Sequence, residues 1–245
     1  MPTGTLNQLP VYASQPANLS AVTLSTAGSL YAAGFANGPG STTLSAATTL
    51  NATSLTVTSA TSFYVGELAL IDGGTTKAEL VYITAIVTTT FTVQRMDGAG
   101  LEYIHASGAT IVGTSAGIMP TYTGRVNIEV SGDITGNATN DIVTAQIIAI
   151  PATGAAGPSA GTALPGIVGA VQIGNTSSTT MTSGNYQGFG LQATVGGIGA
   201  TNSTPAGGAA LSVGVPYLFD VIVSDTSQSS KTATLHNVGW SIQEI

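Results

Sequence analysis

The chain has 245 residues, of which 43% are hydrophobic and only 6% charged, against roughly a quarter in ordinary soluble domains. Four basic and eleven acidic residues give a net charge of −7, and no cluster of Lys or Arg exists to track a phosphate backbone, so nucleic acid is excluded as a partner. Cysteine is absent, which removes disulfides, thiol chemistry and Cys-based metal sites together.

The polar surface must therefore be built from Ser, Thr, Asn and Gln. Such a surface costs little to desolvate, because no strongly hydrated ion has to shed water. That suits a protein covered by partners or by copies of itself, and equally a low-charge extracellular β protein.

Residues 1–40 carry no charge, four prolines and scattered apolar anchors at Leu9, Val11, Tyr12, Leu24, Leu30, Tyr31 and Phe35. The opening residues hold neither a basic region nor an apolar core of a secretory signal. Disordered segments are normally charged and poor in aromatics, the opposite of this bias. The segment reads as an extended N-terminal arm lying on a partner surface, with those seven anchors as its contacts.

Residues 41–114 read as short strands separated by turns. "SLTVTSA" (54–60) is rich in β-branched residues, and "GELALIDGG" (66–74) followed by "AELVYITAI" (78–86) has the form of a hairpin. "TTFTVQRM" (89–96) alternates Phe91 and Val93 inward with Thr92 and Gln94 outward, "MDGAG" (96–100) makes a turn, and "GATIV" (108–112) closes the unit. The expectation is a small β-barrel or sandwich module, joined to the rest by a linker at about 113–121.

Residues 115–245 show longer alternation. Val126, Ile128 and Val130 share one face, as do Phe189, Leu191, Ala193 and Val195, then Tyr217, Phe219, Val221 and Val223, and finally Val238, Trp240 and Ile242. Loops rich in Gly, Pro and Ser separate them, notably 151–170 and 196–209. Many antiparallel strands with long connections predict a jelly-roll sandwich. Tyr217, Phe219, Val221, Trp240 and Ile242 are the candidates for its core or for a trimer interface. The uncharged stretch 142–173 is broken by Pro151, Pro158 and Pro165, so no membrane-spanning run survives. No convincing helix appears, and the fold class is all-β.

"GTSAG" (113–117) has the G-x-S-x-G spacing of a hydrolase nucleophile elbow, with His105 upstream. An elbow needs a helix after its serine, and "AGIMPTYTG" with Pro120 and two glycines precludes one. A triad order of Ser115, Asp220 or Asp225, then His236 exists on paper, but His236 lies in a strand-like run. The pattern reads as a linker, and no catalytic residue is assigned. Asp133, Asn137 and Asp141 lack the spacing of a calcium loop, so neither a metal nor a cofactor is assigned. Five N-x-[ST] matches (Asn18, Asn51, Asn137, Asn175 and Asn202) follow from the Ser/Thr-rich composition. Tyr186, Phe189, Tyr217 and Trp240 could line a sugar site, but at strand spacing they read as core or interface.

"TLNATSLTVTSATSFYVGELALIDGG", "AELVYITAI", "TFTVQRMDGAG" and "HASGATIV" together resemble a small β module of tailed-bacteriophage virion proteins. In that pattern the Arg95 turn and the segment from His105 to Gly108 are structural. "GRVNIEVSGDI" and "GVPYLFDVIVSDTSQSSKTATLHNVGWSIQEI" resemble the jelly-roll, tumour-necrosis-factor-like domain of phage decoration, cement and fibre proteins. The resemblance implies a virion structural protein on the capsid exterior, bound to the major capsid protein and assembled as a homotrimer. Its alternative is a fibre or tail-tip adsorption protein that binds a host surface glycan.

Overall fold

Alternating apolar residues on nearly every predicted strand need a partner face to bury against, and the described residues meet that need with sheets alone. A computed structural model describes residues 11–14, 22–24, 31–32, 40–114, 116–135, 142–152, 170–174, 187–195, 210–225 and 231–245. Among them are sixteen strands and no helix, all paired antiparallel.

Three short strands come first, β1 (Val11–Ser14), β2 (Val22–Leu24) and β3 (Tyr31–Ala32). Six more form one curled sheet: β4 (Ser41–Thr43), β5 (Ser54–Thr56), β6 (Leu68–Ile71), β7 (Glu79–Val87), β8 (Thr90–Arg95) and β9 (Thr110–Thr114). Its order is β4-β9-β6-β7-β8-β5, and a bridge between Leu44 and Val57 brings its two ends together. The Ser45 N–H donates to Thr56 O at 2.9 Å and the Thr58 N–H to Thr43 O at 2.9 Å, so the seam is hydrogen bonded and the sheet curls into a barrel. Closure removes the unpaired edges that a small sheet would otherwise present.

The barrel interior is filled by Leu44, Leu55, Val57, Ala69, Ile71, Val81, Ile83, Phe91, Val93, Leu101 and Ile111, with Phe63 plugging it from a loop. Phe63 meets Phe91 with ring centroids 5.0 Å apart and tilted by 52°, within the preferred range for aromatic pairs. Phe91 and Val93 point inward while Thr92 and Gln94 are exposed, as their alternation predicted.

The remaining strands are β10 (Gly117–Ile118), β11 (Val126–Thr135), β12 (Ile142–Pro151), β13 (Ala170–Gly174), β14 (Gln187–Val195), β15 (Tyr217–Asp225) and β16 (Lys231–Glu244). One sheet runs β1-β16-β11-β14, with β2 also on β16. The other runs β10-β15-β12-β13, with β3 also on β15. Every connection from β10 to β16 crosses between the sheets except β12 to β13, which is the winding of a jelly roll. Val126, Ile128, Val130, Leu191, Phe219, Val221, Val238, Trp240 and Ile242 are all buried.

Two findings differ from the sequence reading. The first concerns the described strands within residues 1–40. Instead of leaving the body, β1 pairs Val11 with Ile242 through Ser14 with Gly239, β2 pairs with Lys231 to Ala233, and β3 pairs with Ile222 and Val223. β12 occupies one edge of β15 along its whole length, so β3 and β10 share the other edge. The barrel is thus set between two strands that run along one edge of the jelly roll. The physical reason is edge satisfaction: β15 and β16 each have a second row of backbone groups to pair, and an uncharged segment rich in Val, Leu and Tyr suits that use.

The second concerns the outer face of the barrel. Leu68, Leu70 and Leu80 point away from the barrel interior yet are buried. Leu80 and Leu218 converge on Gly117, the Met119 N–H meets Met96 Sδ at 3.4 Å, and the Gly74 N–H donates to Ala152 O at 2.7 Å. This second apolar face packs the barrel on the jelly roll. The same two-sided burial explains why Leu218 and Asp220 are buried along with Phe219 and Val221.

Candidate functional site

His105 is wholly buried at the end of the barrel where β6 stops and β7 begins. Its backbone is pinned both ways to Thr48: the His105 N–H donates to Thr48 Oγ1 at 2.8 Å, and the Thr48 N–H donates to His105 O at 2.9 Å. Its Nδ1 lies 3.2 Å from Asp72 Oδ2 and its Nε2 lies 2.6 Å from Glu79 Oε1. Glu79 also accepts the N–H groups of Glu102 at 3.0 Å and Tyr103 at 3.2 Å. Burial alone would lower the imidazole pKa, but the hydrogen bonds and charges of Glu79 and Asp72 outweigh it and raise it above its ordinary value. The ring is locked between two carboxylates, an arrangement that favours its protonated form. Beside it Arg95 pairs with Asp97 and with Glu102, the latter at 2.6 Å, and the hydrogen bond from Arg95 holds the Asp97 carboxyl below its usual range. Both ring nitrogens are engaged by carboxylates, so neither faces an open site.

Ser115 lies outside the described residues, but the ends of β9 locate its neighbours. The Asp72 N–H donates to Thr110 O at 2.8 Å, which puts His105 at the Thr110 end of the strand. Thr114, which precedes Ser115, is at the other end, about 13 Å away at roughly 3.3 Å per residue. After Ser115 the chain enters strand β10, not the helix that a nucleophile elbow requires. Asp220 is buried with Oδ1 accepting the Val221 N–H at 2.7 Å. His236, the histidine of the paper triad, lies on β16 opposite Asp133 of β11, and Ser115 itself falls outside the described residues.

Of the other candidates, Phe219, Val221, Trp240 and Ile242 are buried within a single chain, so they are core. Tyr217 is half-buried, and its hydroxyl accepts the Ser212 N–H at 3.0 Å. Phe189 is also buried, so it and Trp240 present no stacking face to a sugar. Val11 and Tyr12 fall on β1, Leu24 on β2 and Tyr31 on β3. Leu9, Leu30, Phe35, Asn137, Asp141 and Tyr186 lie outside the described residues. Among the described residues, no group of three His, Asp or Glu side chains is placed to hold a metal ion.

The arrangement that sequence reading missed joins the last residues of β16 to the segment just after β10. Glu244 is buried, and its carboxylate accepts four successive backbone N–H groups: Thr121 at 2.8 Å, Tyr122 at 2.9 Å, Thr123 at 2.7 Å and Gly124 at 2.9 Å. Burial pushes its pKa up, but those four donors outweigh it and hold the carboxyl below its ordinary value. Gly124 has φ of 65°, and a Cβ there would sit 1.8 Å from Leu211 O, so only glycine fits.

Three further bonds tie the surrounding segments. The Leu211 N–H donates to Gly124 O at 2.7 Å, the Gly214 N–H to Pro120 O at 2.8 Å, and the Ile245 N–H to Arg125 O at 2.8 Å. On this rigid base Tyr122, Val213 and Ile245 stand exposed, at 60%, 52% and 40%. The result is a preorganised apolar rim, which loses little conformational freedom when a partner covers it. A signal was present in the sequence: Glu244 is one of eleven acids in a nearly charge-free chain, and it follows a buried-face residue in the final strand.

Comparison with protein-family models and with curated proteins returned no match.

Proposed function

We propose that the protein is a virion structural protein that decorates a bacteriophage capsid from outside and cements it, with the major capsid protein as partner and a homotrimer as the working unit. The observation that carries this reading is the architecture itself. A jelly roll with a small barrel set into it agrees with the two kinds of unit that the sequence resemblance implies. The low-charge composition supports it, because a surface that is cheap to desolvate suits permanent coverage.

In this reading the protein acts by linkage. A ligand that binds only the assembled shell stabilises it by mass action, and a trimer multiplies each contact through effective concentration. The pairing of β1, β2 and β3 with this chain's own sheets moves the proposed capsid contact from those strands to the rim of Tyr122, Val213 and Ile245.

Immunogold electron microscopy of the parent particle, with antibody to this chain, tests the assignment. Label spread over the capsid faces is the expected result. Label confined to the tail tip or a single vertex would overturn it in favour of host adsorption.

A further inference from the structure

The loop between β5 and β6 covers both points at which the chain passes between barrel and jelly roll. Phe63 lies on Gly40, the residue before β4: a Cβ at Gly40 would be 2.9 Å from its ring. Glu67 lies on Gly113 in β9, where a Cβ would be 2.2 Å from its Oε1. The Gly113 N–H donates to Gly40 O at 2.8 Å, so the two glycines are themselves joined. Both lack a side chain where the loop's side chains need the space.

Glu67 is buried and incompletely partnered. Its Oε2 accepts the Tyr64 N–H at 3.2 Å, while its Oε1 has no hydrogen-bond partner. A neutral carboxyl tolerates this position, but an ionised one leaves an unpaired charged oxygen against a glycine backbone, which is costly in a buried site. Burial accordingly raises the Glu67 pKa to about 7, opposed only by the Tyr64 N–H.

Among the described residues the surroundings offer no counter-charge. β9 brings Gly113 and Thr114, β7 brings the Ile83 backbone, and the start of β4 brings Gly40. The titratable neighbours are Tyr64, whose phenol is raised by burial and by Glu67, and Tyr82 on β7, raised by burial alone. Glu79 is at the far end of β7, engaged with His105.

We infer that the Phe63–Glu67 loop is a pH-released clasp over the junction of barrel and jelly roll. With Glu67 protonated the clasp is seated. When the proton passes to water, the carboxylate gains by reaching solvent, and the loop lifts off Gly40 and Gly113. The exposed Tyr64 and Val65 at its tip move with it, so the surface presented there changes with pH.

Amide hydrogen exchange of the full-length protein tests this. The reporters are the N–H groups of Gly66, Glu67 and Gly113, which donate to Ile83, Tyr64 and Gly40. The control is the Val93 N–H inside the barrel, which donates to Thr53. With intrinsic rates divided out, the opening equilibrium of the reporters should grow about 20-fold between pH 5.5 and 7.5, while Val93 stays unchanged. Glu67→Gln, which keeps the shape and cannot ionise, should abolish the growth. Unchanged protection in the wild type, an equal rise at Val93, or the same rise in Glu67→Gln would each overturn the clasp. Should that variant fail to fold, a carbon-13 titration of the wild-type Glu67 carboxyl decides. A midpoint near 7 supports the clasp, and one in the ordinary carboxylate range overturns it.

Discussion

Replacing Glu244 by Gln alters one atom of the carboxylate that four backbone N–H donors of residues 121–124 hold, and the structure gives the expected size of the effect. The amide oxygen can take the place of the oxygen that accepts Tyr122, Thr123 and Gly124. The amide nitrogen then faces the Thr121 N–H, donor against donor. An unsatisfied buried donor costs about 1–3 kcal/mol, and the other three bonds lose the charge that strengthened them. Tyr122 and Thr123 are within reach of water, which limits the total, so the expected loss is about 3 kcal/mol. Urea unfolding followed by fluorescence of Trp240, the single tryptophan, measures it from the same strand. The sign of the pH dependence follows from the lowered pKa. The contribution is present above the unfolded-state value, near 4.5, and is lost as pH falls through the folded-state value. Wild type should therefore converge on Glu244→Gln in acid. A loss under about 0.5 kcal/mol at pH 7, or no convergence, would refute the idea that the carboxylate holds the rim.

His105→Gln should cost about 3 kcal/mol, because it strands the Glu79 carboxylate in the barrel wall. The raised imidazole pKa means this contribution is complete below about 6.5 and fades as pH rises through the folded-state value, so denaturation series at increasing pH should show the variant closing on wild type. Thr88→Gly should stabilise the β7–β8 hairpin by about 0.5–1 kcal/mol, since a β-branched residue stands there at φ of 57°; an unchanged or lower melting temperature would contradict this. Deleting residues 1–39 should lower the melting temperature and promote aggregation, seen by light scattering, because it strips the β1, β2 and β3 pairings from β16 and β15. Tyr122→Ser combined with Val213→Ser should leave melting unchanged and abolish sedimentation with capsids; undiminished co-sedimentation would remove the rim from the proposed function.

The strands legible in the sequence were those with one wet face. Phe91/Val93, Val126/Ile128/Val130 and Val238/Trp240/Ile242 alternate because water lies on the other side, and the structure buries each set. Where both faces are covered, alternation carries no information. "LALI" and "LVYI" read as one hairpin, and nothing in their pattern separates Ala69, Ile71, Val81 and Ile83, which fill the barrel, from Leu68, Leu70 and Leu80, which face the jelly roll. Continuous apolar runs of that kind were the available sign of a second interface. His105 posed a different difficulty. Its partners Asp72 and Glu79 come from the turn after β6 and the start of β7, so only the closed barrel brings these three scattered residues together in a buried cluster.

The N-terminal segment was the least legible part because its pairing is non-local. Val11 meets Ile242 across almost the whole chain, and strands of two to four residues are too short to show a period. Composition narrowed the choice to a segment that must lie on some surface, and topology supplies the surface. β15 and β16 are each flanked by β12 or β11 on one side, which leaves a full row of backbone donors and acceptors on the other. β10 covers only Tyr217 and Leu218 of that row on β15, while β3 continues it at Ile222 and Val223. Strand β3 lies before the barrel and β10 after it, so the barrel is held at both of its ends by one edge of the jelly roll. That double attachment gives the junction under Phe63 and Glu67 its importance. A loop that releases there loosens the barrel's seat without breaking either sheet.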